Sequence, residues 1–244
     1  MELIVLGWGG GWPAAGGAAS GYLVRQDGFN LWLDAGTGTM ANLQRHIGLH
    51  EVDAIVISHQ HFDHFLDLYP YFLSRWLRKG SAVSKLPLFA SPGMFEHALQ
   101  LEDGLAGAFD VRVVGPGEDF EAGPLRVRTA PMRHPVPTLG MRIEANGASL
   151  TYSADTGPTE ELVRLAKGAN LLLCEATFAV PGDGSPDIHM ASEEAGQHAA
   201  RAGAERLVLT HIWPANDRRA AEERAGSVFG GPVVLAENDL RVQL

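Results

Sequence analysis

The sequence predicts an α/β protein, because short apolar runs suited to buried strands alternate with helical stretches. In the second half, three such runs each lead directly into a residue that can bind metal or move a proton, namely 150–154 into Asp155, 171–174 into Glu175 and 206–210 into His211. The stretches between them, around 159–167 and 192–202, are helical and can serve as crossovers. Earlier, the unbroken apolar run 54–57 is typical of a parallel strand covered on both faces.

Length and composition fit a globular enzyme in a single domain, residues 1–244. Hydrophobic residues make up 45% of the 244 residues, which is enough for a large core. The chain starts without the basic region of a signal peptide and has no apolar stretch long enough for a membrane span, so we expect a cytoplasmic protein. The single cysteine, Cys174, excludes an internal disulfide and a thiolate cluster, and we expect it to be buried in a strand.

The formal net charge of −10 disfavours binding of long nucleic acids, whose protein partners are normally basic. A small substrate is easier to reconcile with this charge. One local exception is a basic stretch without acidic residues, interleaved with aromatic residues, that contains Arg75, Arg78, Lys79 and Lys85. We interpret it as a solvated helix face.

The first part of the chain predicts strands separated by glycine-rich turns. Strands are expected at 2–6, 20–24 and 30–34, and Asp27-Gly28 is a hairpin signal between the last two. The loop 7–17 is too rich in glycine for a helix or a strand, and no helix follows it, which excludes a dinucleotide-binding fingerprint. This loop either brings backbone N–H groups to a phosphate or is a simple tight connection.

Further elements follow in order along the chain. Helices are predicted at 40–47, 65–77 and 94–101, and strands at 86–90, 109–114, 125–129, 139–143, 233–235 and 240–244. In the strand at 125–129, Arg126 and Arg128 alternate with apolar residues, so one face should be exposed. The helix at 192–202 should begin with Ser192 as its N-cap and acidic residues in its first turn.

A cluster of three histidines and one aspartate follows the strand at 54–57. His59 and His61, two residues apart on extended chain, should project to one side, while Asp63 and His64 at a helix entry can face a second ion. Imidazole and carboxylate donors suit zinc or a similar divalent ion. Because sites in open α/β sheets form where strands end, the cluster predicts a metal site.

Three more candidate ligands, His134, Asp155 and His211, follow other predicted strands. His134 lies in a rigid turn with prolines at 135 and 137. Each of these residues alone is weak evidence, because a polar residue after a strand is commonly structural. If their strands share a sheet with the strand at 54–57, the ends converge on one rim with enough donors for two ions. His46, His50, His97 and His198 lack such context and are predicted to be surface or helix residues.

The segment His59-Gln60-His61-Phe62-Asp63-His64 resembles the metal motif of the metallo-β-lactamase superfamily, and the other candidate ligands follow in that family's order. Asp34 matches the family's early aspartate, which supports the site without binding metal. Residues 174–178 and 189–192, followed by Thr210-His211, are similar to the ribonuclease Z-like branch. The resemblance implies an αββα sandwich with a metal centre at the edge between its two sheets.

The resemblance also implies how the site residues act. It assigns His59, His61 and His134 to one metal, Asp63, His64 and His211 to the other, and Asp155 to both. Zinc is the expected metal, and manganese and iron accept the same ligands. A hydroxide held between the two ions would attack phosphorus. Asp63, Glu175 and His189 are the predicted catalytic residues, with His189 protonating the leaving oxygen beside Glu175. Relatives form homodimers, so a homodimer is expected.

We therefore expect a phosphodiesterase that acts on a small or cyclic nucleotide. Ribonuclease Z commonly carries a long arm that grips tRNA between the segments matching His134 and Asp155, whereas only 20 residues separate these positions here. Three alternatives stay open: a tRNA 3′-processing endonuclease, a hydrolase of lactones, thioesters or β-lactams, and a non-catalytic metal-binding protein.

Overall fold

The computed structural model describes residues 1–77, 84–183 and 188–244, which form two seven-stranded sheets. The first sheet contains, in spatial order, β14 (Arg241–Gln243), β1 (Glu2–Gly7), β2 (Gly21–Gln26), β3 (Phe29–Ala35), β4 (Ala54–Ile57), β5 (Leu86–Ala90) and β6 (Phe109–Val113). The second contains β13 (Val233–Leu235), β12 (Leu207–Thr210), β11 (Leu171–Glu175), β10 (Ala148–Tyr152), β9 (Leu139–Ala145), β8 (Leu125–Pro131) and β7 (Asp119–Ala122).

Helices connect these strands and cover the outer faces of both sheets. They are α1 (Thr39–Leu43), α2 (Phe62–Phe65), α3 (Leu68–Trp76), α4 (Met94–Leu99), α5 (Leu105–Ala108), α6 (Glu160–Leu165), α7 (Ser192–Ala202) and α8 (Arg218–Phe229). Both sheets are mixed: β3 to β6 run parallel, as do β10 to β13, and the remaining pairs are antiparallel. The predicted parallel strand at 54–57 is therefore confirmed as β4.

Strand β1 shows how the layers are built. Leu3 and Val5 belong to the core shared by the two sheets, whereas Ile4 and Leu6 pack in a second core with residues of α1, α3 and α4. Alternate residues of a strand point to opposite faces, so a strand that is apolar throughout must be covered on both sides. Residues of α6, α7 and α8 cover the outer side of the second sheet. The predicted αββα sandwich is confirmed, and the single domain stays a prediction.

Two turns between strands match the sequence. Asp27 and Gly28 join β2 to the antiparallel β3 and have φ values of 51° and 82°, as a tight hairpin turn requires. Strands β9 and β10 form a hairpin that fills most of the interval between His134 and Asp155. This interval of the chain therefore contains no long inserted arm.

The predicted helix at 65–77 is wrong as one element, because α2 and α3 are separate helices. The break lies at Asp67, which bonds the β3–α1 turn instead of the preceding helix. Its N–H donates to the Ala35 carbonyl at 2.9 Å, and its carboxylate accepts the Met40 N–H at 2.6 Å. Asp63 and His64 consequently lie on the short helix α2.

Among the described strands and α-helices, β7, α5 and α8 were not predicted. Helix α8 was missed because its buried side consists of small residues, Ala221 and Ala225, in a charged sequence that shows little amphipathic pattern. Strand β7 was missed because its four residues alternate acidic and apolar side chains and contain no apolar run. It pairs with β8, whose Arg126 and Arg128 face solvent as predicted and form ion pairs with Asp119.

Three smaller predictions have different outcomes. Cys174 is buried in β11, as predicted. Ser192 is the first residue of α7 and not its N-cap, which is Ala191 with its N–H bonded to the Glu194 carboxylate at 2.8 Å. His198 lies on a helix but is buried, where its Nε2 accepts the Thr159 N–H at 3.1 Å.

In the basic stretch, Arg75 lies near the end of α3 and Lys85 precedes β5, whereas Arg78 and Lys79 lie outside the described residues. Among the residues that the structure describes, no helix combines the length and apolar character needed to cross a membrane.

Candidate metal centre

The candidate ligands meet where strands of both sheets end. His59 follows β4 of the first sheet, while His134, Asp155 and His211 follow β8, β10 and β12 of the second. The condition that all four strands share one sheet is therefore not met. Their ends nevertheless lie together, because the two stacked sheets present them at the same edge of the sandwich.

The backbone turns sharply at three positions in this region. Asp34, Ala154 and His211 have φ values of 55°, 51° and 52°, in the left-handed region that residues other than glycine rarely adopt. Each such residue costs on the order of 1–3 kcal/mol and persists where the surrounding structure holds it. All three lie at or just beyond a strand end, where they redirect the chain into the cluster.

The first group of candidate ligands consists of three imidazoles. His61 Nδ1 lies 3.2 Å from His59 Nε2 and 3.0 Å from His134 Nε2. The opposite nitrogen of His134 donates to the Ile188 carbonyl at 2.9 Å. His59 Nδ1 lies 3.0 Å from the Ser58 hydroxyl, which itself donates to Asp34 and therefore accepts from His59. Both Nε2 atoms are thus left as acceptors.

This arrangement fits a cation. Two acceptor nitrogens face His61 Nδ1, which carries at most one proton and cannot satisfy both. Nitrogens bound about 2.0–2.1 Å from a tetrahedral ion lie roughly 3.3 Å apart, close to the separations found here. A bound ion would convert mutual repulsion of the lone pairs into attraction.

The second group contains Asp63, His64 and His211. His64 Nδ1 donates to Asp34 at 2.8 Å, which directs its Nε2 toward Asp63 Oδ2 at 3.6 Å. His211 Nε2 lies 3.1 Å from the same Asp63 oxygen. Its Nδ1 lies 2.8 Å from the hydroxyl of Thr177. Each imidazole therefore has one nitrogen held by the protein and one directed at the centre.

Asp155 faces both groups. Its Oδ2 lies 3.5 Å from His59 Nε2 and 3.3 Å from His211 Nε2, while its Oδ1 lies 3.2 Å from His64 Nε2. Within the described residues, His64 Nε2 and Asp155 Oδ1 are buried atoms without a hydrogen-bond partner. Buried polar atoms are nearly always hydrogen-bonded, so two buried atoms that lie 3.2 Å apart without forming a hydrogen bond fit a shared ion.

The protonation of the metal-free cluster follows from its burial and its charges. Burial lowers the pKa of His59 and of His134 to about 4. Burial would raise the pKa of Asp63 and Asp155, but the surrounding histidines hold both below their usual range. Burial would lower the pKa of His64, but both aspartates outweigh it and raise that pKa well above its usual value. Because cations bind neutral imidazole and ionised carboxylate, His64 has to release a proton when metal binds.

Glu175 and His189 form a pair beside the cluster. His189 Nδ1 donates to Glu175 Oε1 at 2.9 Å, and Thr177 donates its hydroxyl to Glu175 Oε2 at 2.7 Å. Burial would lower the pKa of His189, but the charge and hydrogen bond of Glu175 raise it to about 9. In the metal-free protein, His189 is thus a protonated imidazole at neutral pH.

Distances between ligand atoms define three groups with all members within 4.8 Å: His59, His61, His134 and Asp155; Asp63, His64 and His211; and Asp155, His189 and His211. The structure therefore brings together every residue predicted for the site. The first group contains the predicted ligands of one metal together with Asp155, and the second contains the predicted ligands of the other metal without Asp155. The third shows that His189 also lies within reach of a metal, so the assignment of ligands stays a prediction.

Sequence reasoning gave no role to several residues that support the site. Thr177 was quoted only as part of a motif, although it joins His211 to Glu175. Tyr152 donates its hydroxyl to Asp34 at 2.8 Å from the opposite sheet. Gly11 donates its N–H to Asp63 Oδ2 at 2.7 Å. Of these residues, only Thr177 could have been singled out from the sequence, because it follows Glu175 by two residues. The contacts of Tyr152 and Gly11 depend on how the two sheets stack.

Known proteins resemble this chain over nearly its whole length. Residues 30–212 match the family described as the beta-lactamase superfamily domain. The probable metallo-hydrolase YhfI of Bacillus subtilis is 30% identical over 244 residues, which cover 98% of each chain. The crystal structure of YhfI matches with a TM-score of 0.91 at 29% identity, covering 99% of this chain and 98% of that one.

A second relative bears on the branch of the family. A ribonuclease Z of Mycolicibacterium paratuberculosis is 31% identical over 275 residues, covering 100% of this chain and 98% of that protein. The match to the family spans most of the chain, and the cluster of histidines and aspartates lies at the edge of the expected sandwich. The chain therefore belongs to the metallo-β-lactamase superfamily, as a metallo-hydrolase of its ribonuclease Z-like branch.

Proposed function

We propose that the protein is a phosphodiesterase that hydrolyses a small or cyclic nucleotide at a centre of two divalent metal ions. The observation that carries this proposal is the Glu175–His189 pair, whose imidazole lies within 4.8 Å of the candidate ligands Asp155 and His211. An alkoxide leaving group needs a proton, and a protonated histidine at this place can supply one. Further support comes from the relatives named ribonuclease Z, because a ribonuclease acts on the phosphodiester bonds of RNA.

In this proposal, the candidate ligands form two sets that share Asp155. His59, His61 and His134 would hold one ion, Asp63, His64 and His211 the other, and Asp155 would contact both. Bound there, the ions supply Lewis-acid chemistry that lowers the pKa of water and offsets negative charge on the phosphoryl group.

The proton transfer would use the Glu175–His189 pair. The attacking water, its pKa lowered, would lose one proton to solvent. As its oxygen bonds to phosphorus, the bond from phosphorus to the leaving oxygen would break, and His189 would give its Nε2 proton to that oxygen. Glu175 keeps the Nδ1 proton of His189 in place and so orients the ring.

The experiment that tests the function measures hydrolysis together with metal content. Metal-depleted protein should hydrolyse neither bis(p-nitrophenyl) phosphate nor a cyclic nucleotide. Addition of Zn²⁺ or Mn²⁺ should restore turnover as two equivalents bind per chain, because each ion has its own ligand set. Turnover of lactones or thioesters without turnover of any phosphodiester, at two metals per chain, would contradict the proposal.

A tRNA 3′-processing endonuclease is the second candidate, and the ribonuclease Z relatives favour it. The net charge of −10 and the short interval filled by β9 and β10 weigh against it. Incubation with a precursor tRNA separates the two candidates. A defined cut at the 3′ end, faster than hydrolysis of cyclic nucleotides at equal enzyme concentration, would make the endonuclease the better assignment.

Replacing His189 with alanine should lower kcat for a cyclic nucleotide by about 10²–10⁴-fold, the usual range for loss of a general acid. Hydrolysis of bis(p-nitrophenyl) phosphate should fall much less, because p-nitrophenolate leaves without a proton. Both metals should stay bound, which elemental analysis of the variant measures. His50→Ala, on the 3₁₀ turn Leu49–Glu51, is the matched control and should keep wild-type rates.

The pH profile provides an independent readout of the same role. The acid is present below the pKa of His189, which the charge of Glu175 raises, and is lost as pH rises through that pKa, so the rate should fall on the basic side. Glu175→Gln removes the main cause of the raised pKa, and the basic limb should move to lower pH. Loss of metal from His189→Ala, or an equal loss of rate with both substrates, would instead identify His189 as a ligand.

Three further features are part of the proposal: zinc as the metal, a homodimer and a cytoplasmic location. Elemental analysis of purified protein tests the first, and size-exclusion chromatography with light scattering tests the second. Fractionation of the source cells tests the third.

A further inference from the structure

Two tryptophans beside the candidate metal centre have no role in the chemistry proposed above. Trp12 lies in the glycine-rich loop after β1, and 47% of its surface is exposed. Trp213 follows His211 by two residues and is half-buried. A large aromatic side chain that faces solvent next to a candidate active site is a natural contact for substrate.

The glycine-rich loop is attached to the candidate ligands themselves. Gly11 donates its N–H to Asp63 Oδ2 at 2.7 Å, and Gly10 donates to the Ile212 carbonyl at 3.2 Å. A Cβ at Gly10 would lie 2.5 Å from the His211 carbonyl oxygen, so only glycine permits this approach. The loop thus carries Trp12 to the side of the centre formed by Asp63 and His211.

The same contacts favour one of the two interpretations of this loop. The N–H groups of Trp8 and Gly9 both bond the Ala18 carbonyl, and those of Gly10 and Gly11 are used as described above. These four donors are therefore engaged within the protein and do not form a phosphate cradle. Along residues 8–11 the loop is therefore a tight connection, and it presents the indole of Trp12 next to the site.

Aromatic rings continue from Trp12 to the candidate acid. The ring centroids of Trp12 and Trp213 lie 6.1 Å apart with 36° between the planes. Phe178 meets Trp213 edge-on at 5.4 Å and His189 edge-on at 5.7 Å. Phe178 is buried and packs against the ring of Trp213. A substrate whose leaving oxygen lies at His189 would extend along this row of rings.

We propose that Trp12 and Trp213 bind the nucleobase of the substrate by stacking, while its phosphodiester lies among Asp63, Asp155 and His211. This inference rests on the proposed function and specifies its substrate as one with a planar aromatic base. Every nucleobase has a π face, so such a platform favours nucleotides over baseless phosphodiesters without selecting one base. It also supplies affinity that does not depend on positive charge, in a protein with a net charge of −10.

The test uses metal-loaded protein and compares ligands with and without a base. Adenosine monophosphate and ribose 5-phosphate are titrated by calorimetry into wild type, Trp12→Ala and Trp12→Phe. Removal of the indole should weaken adenosine monophosphate binding about tenfold, within the range of base–aromatic stacking, and leave ribose 5-phosphate unchanged. Phenylalanine should restore most of the affinity. Trp76→Ala, which removes an exposed tryptophan of α3, is the matched control and should bind both ligands like wild type.

Turnover separates this inference from the function on which it rests. Wild type should hydrolyse glycerol cyclic phosphate, which lacks a base, and Trp12→Ala should keep that rate while KM for a cyclic nucleotide rises about tenfold. If wild type hydrolyses neither diester, the proposed function fails. If wild type hydrolyses both and Trp12→Ala changes both equally or neither, the platform is overturned. A change of oligomeric state in Trp12→Ala would also overturn it, since the indole would then belong to a subunit interface.

Discussion

Replacing Asp155 with asparagine is expected to abolish metal-dependent hydrolysis. Its two oxygens lie 3.2 Å from His64 Nε2 and 3.3 Å from His211 Nε2, and one of them also faces His59. Asparagine keeps the size but loses the negative charge that faces both groups of imidazoles. Hydrogen-bond partners of ligands are worth about 10–100-fold in metal affinity or activity, so loss of this central carboxylate should exceed about 100-fold.

The measurement is the metal content of Asp155→Asn after dialysis, together with its rate with bis(p-nitrophenyl) phosphate. Both should fall, and added Zn²⁺ should restore activity only at concentrations far above those that saturate wild type. Asp110→Asn, which changes an exposed aspartate of β6, is the control and should match wild type. Retention of two metals and of wild-type turnover by Asp155→Asn would remove Asp155 from the centre.

Replacing Asp34 with alanine is expected to cause a large loss of stability. Its buried carboxylate accepts the Ser58 N–H at 2.7 Å and, at 2.8 Å each, the Ser58 hydroxyl, His64 Nδ1 and the Tyr152 hydroxyl. Removing one partner of a buried charge pair costs about 3–5 kcal/mol, and the φ of 55° at this position adds strain for alanine. Urea unfolding of chelator-treated protein measures this loss apart from any loss of metal.

Two milder variants indicate the cause. In Asp34→Asn, the new side chain would tolerate the positive φ and keep one acceptor oxygen, but its amide would face donors, so this variant should be intermediate in stability. Tyr152→Phe removes one of the four hydrogen bonds and should cost about 1 kcal/mol. Equal unfolding midpoints for Asp34→Ala and wild type would show that the network does not stabilise the fold.

The local features of the sequence predicted the elements around the site well. The strand at 54–57 and the helix at 192–202 match β4 and α7 at both ends, because an unbroken apolar run and an amphipathic run with acidic residues in its first turn are strong local patterns. The helix at 65–77 failed because Asp67 bonds residues of a distant turn. Helix α8 was not predicted, because its buried side consists of alanines and gives no clear apolar pattern.

The residues of the candidate site were also predicted only in part from local features of the sequence. Residue types and spacing were enough to select His59, His61, Asp63 and His64, since donor chemistry is a property of the side chain itself. His134, Asp155 and His211 depended on their places after strands and on family resemblance. The sequence left open whether their strands share a sheet with the strand at 54–57, and the structure places β4 in the first sheet and β8, β10 and β12 in the second. That division depends on strand pairing between distant segments, which local pattern does not specify.

The sequence by itself determined the class of fold, the family and the set of candidate metal ligands, because apolar periodicity, donor chemistry and motif spacing can be read along the chain. Only the tertiary structure decided which nitrogen of each imidazole faces the centre. That choice depends on hydrogen-bond partners from distant parts of the chain: Asp34 for His64, Thr177 for His211 and the Ile188 carbonyl for His134. The tertiary structure alone also placed Trp12 at the site, since its loop reaches Asp63 across 52 residues of sequence through one backbone hydrogen bond.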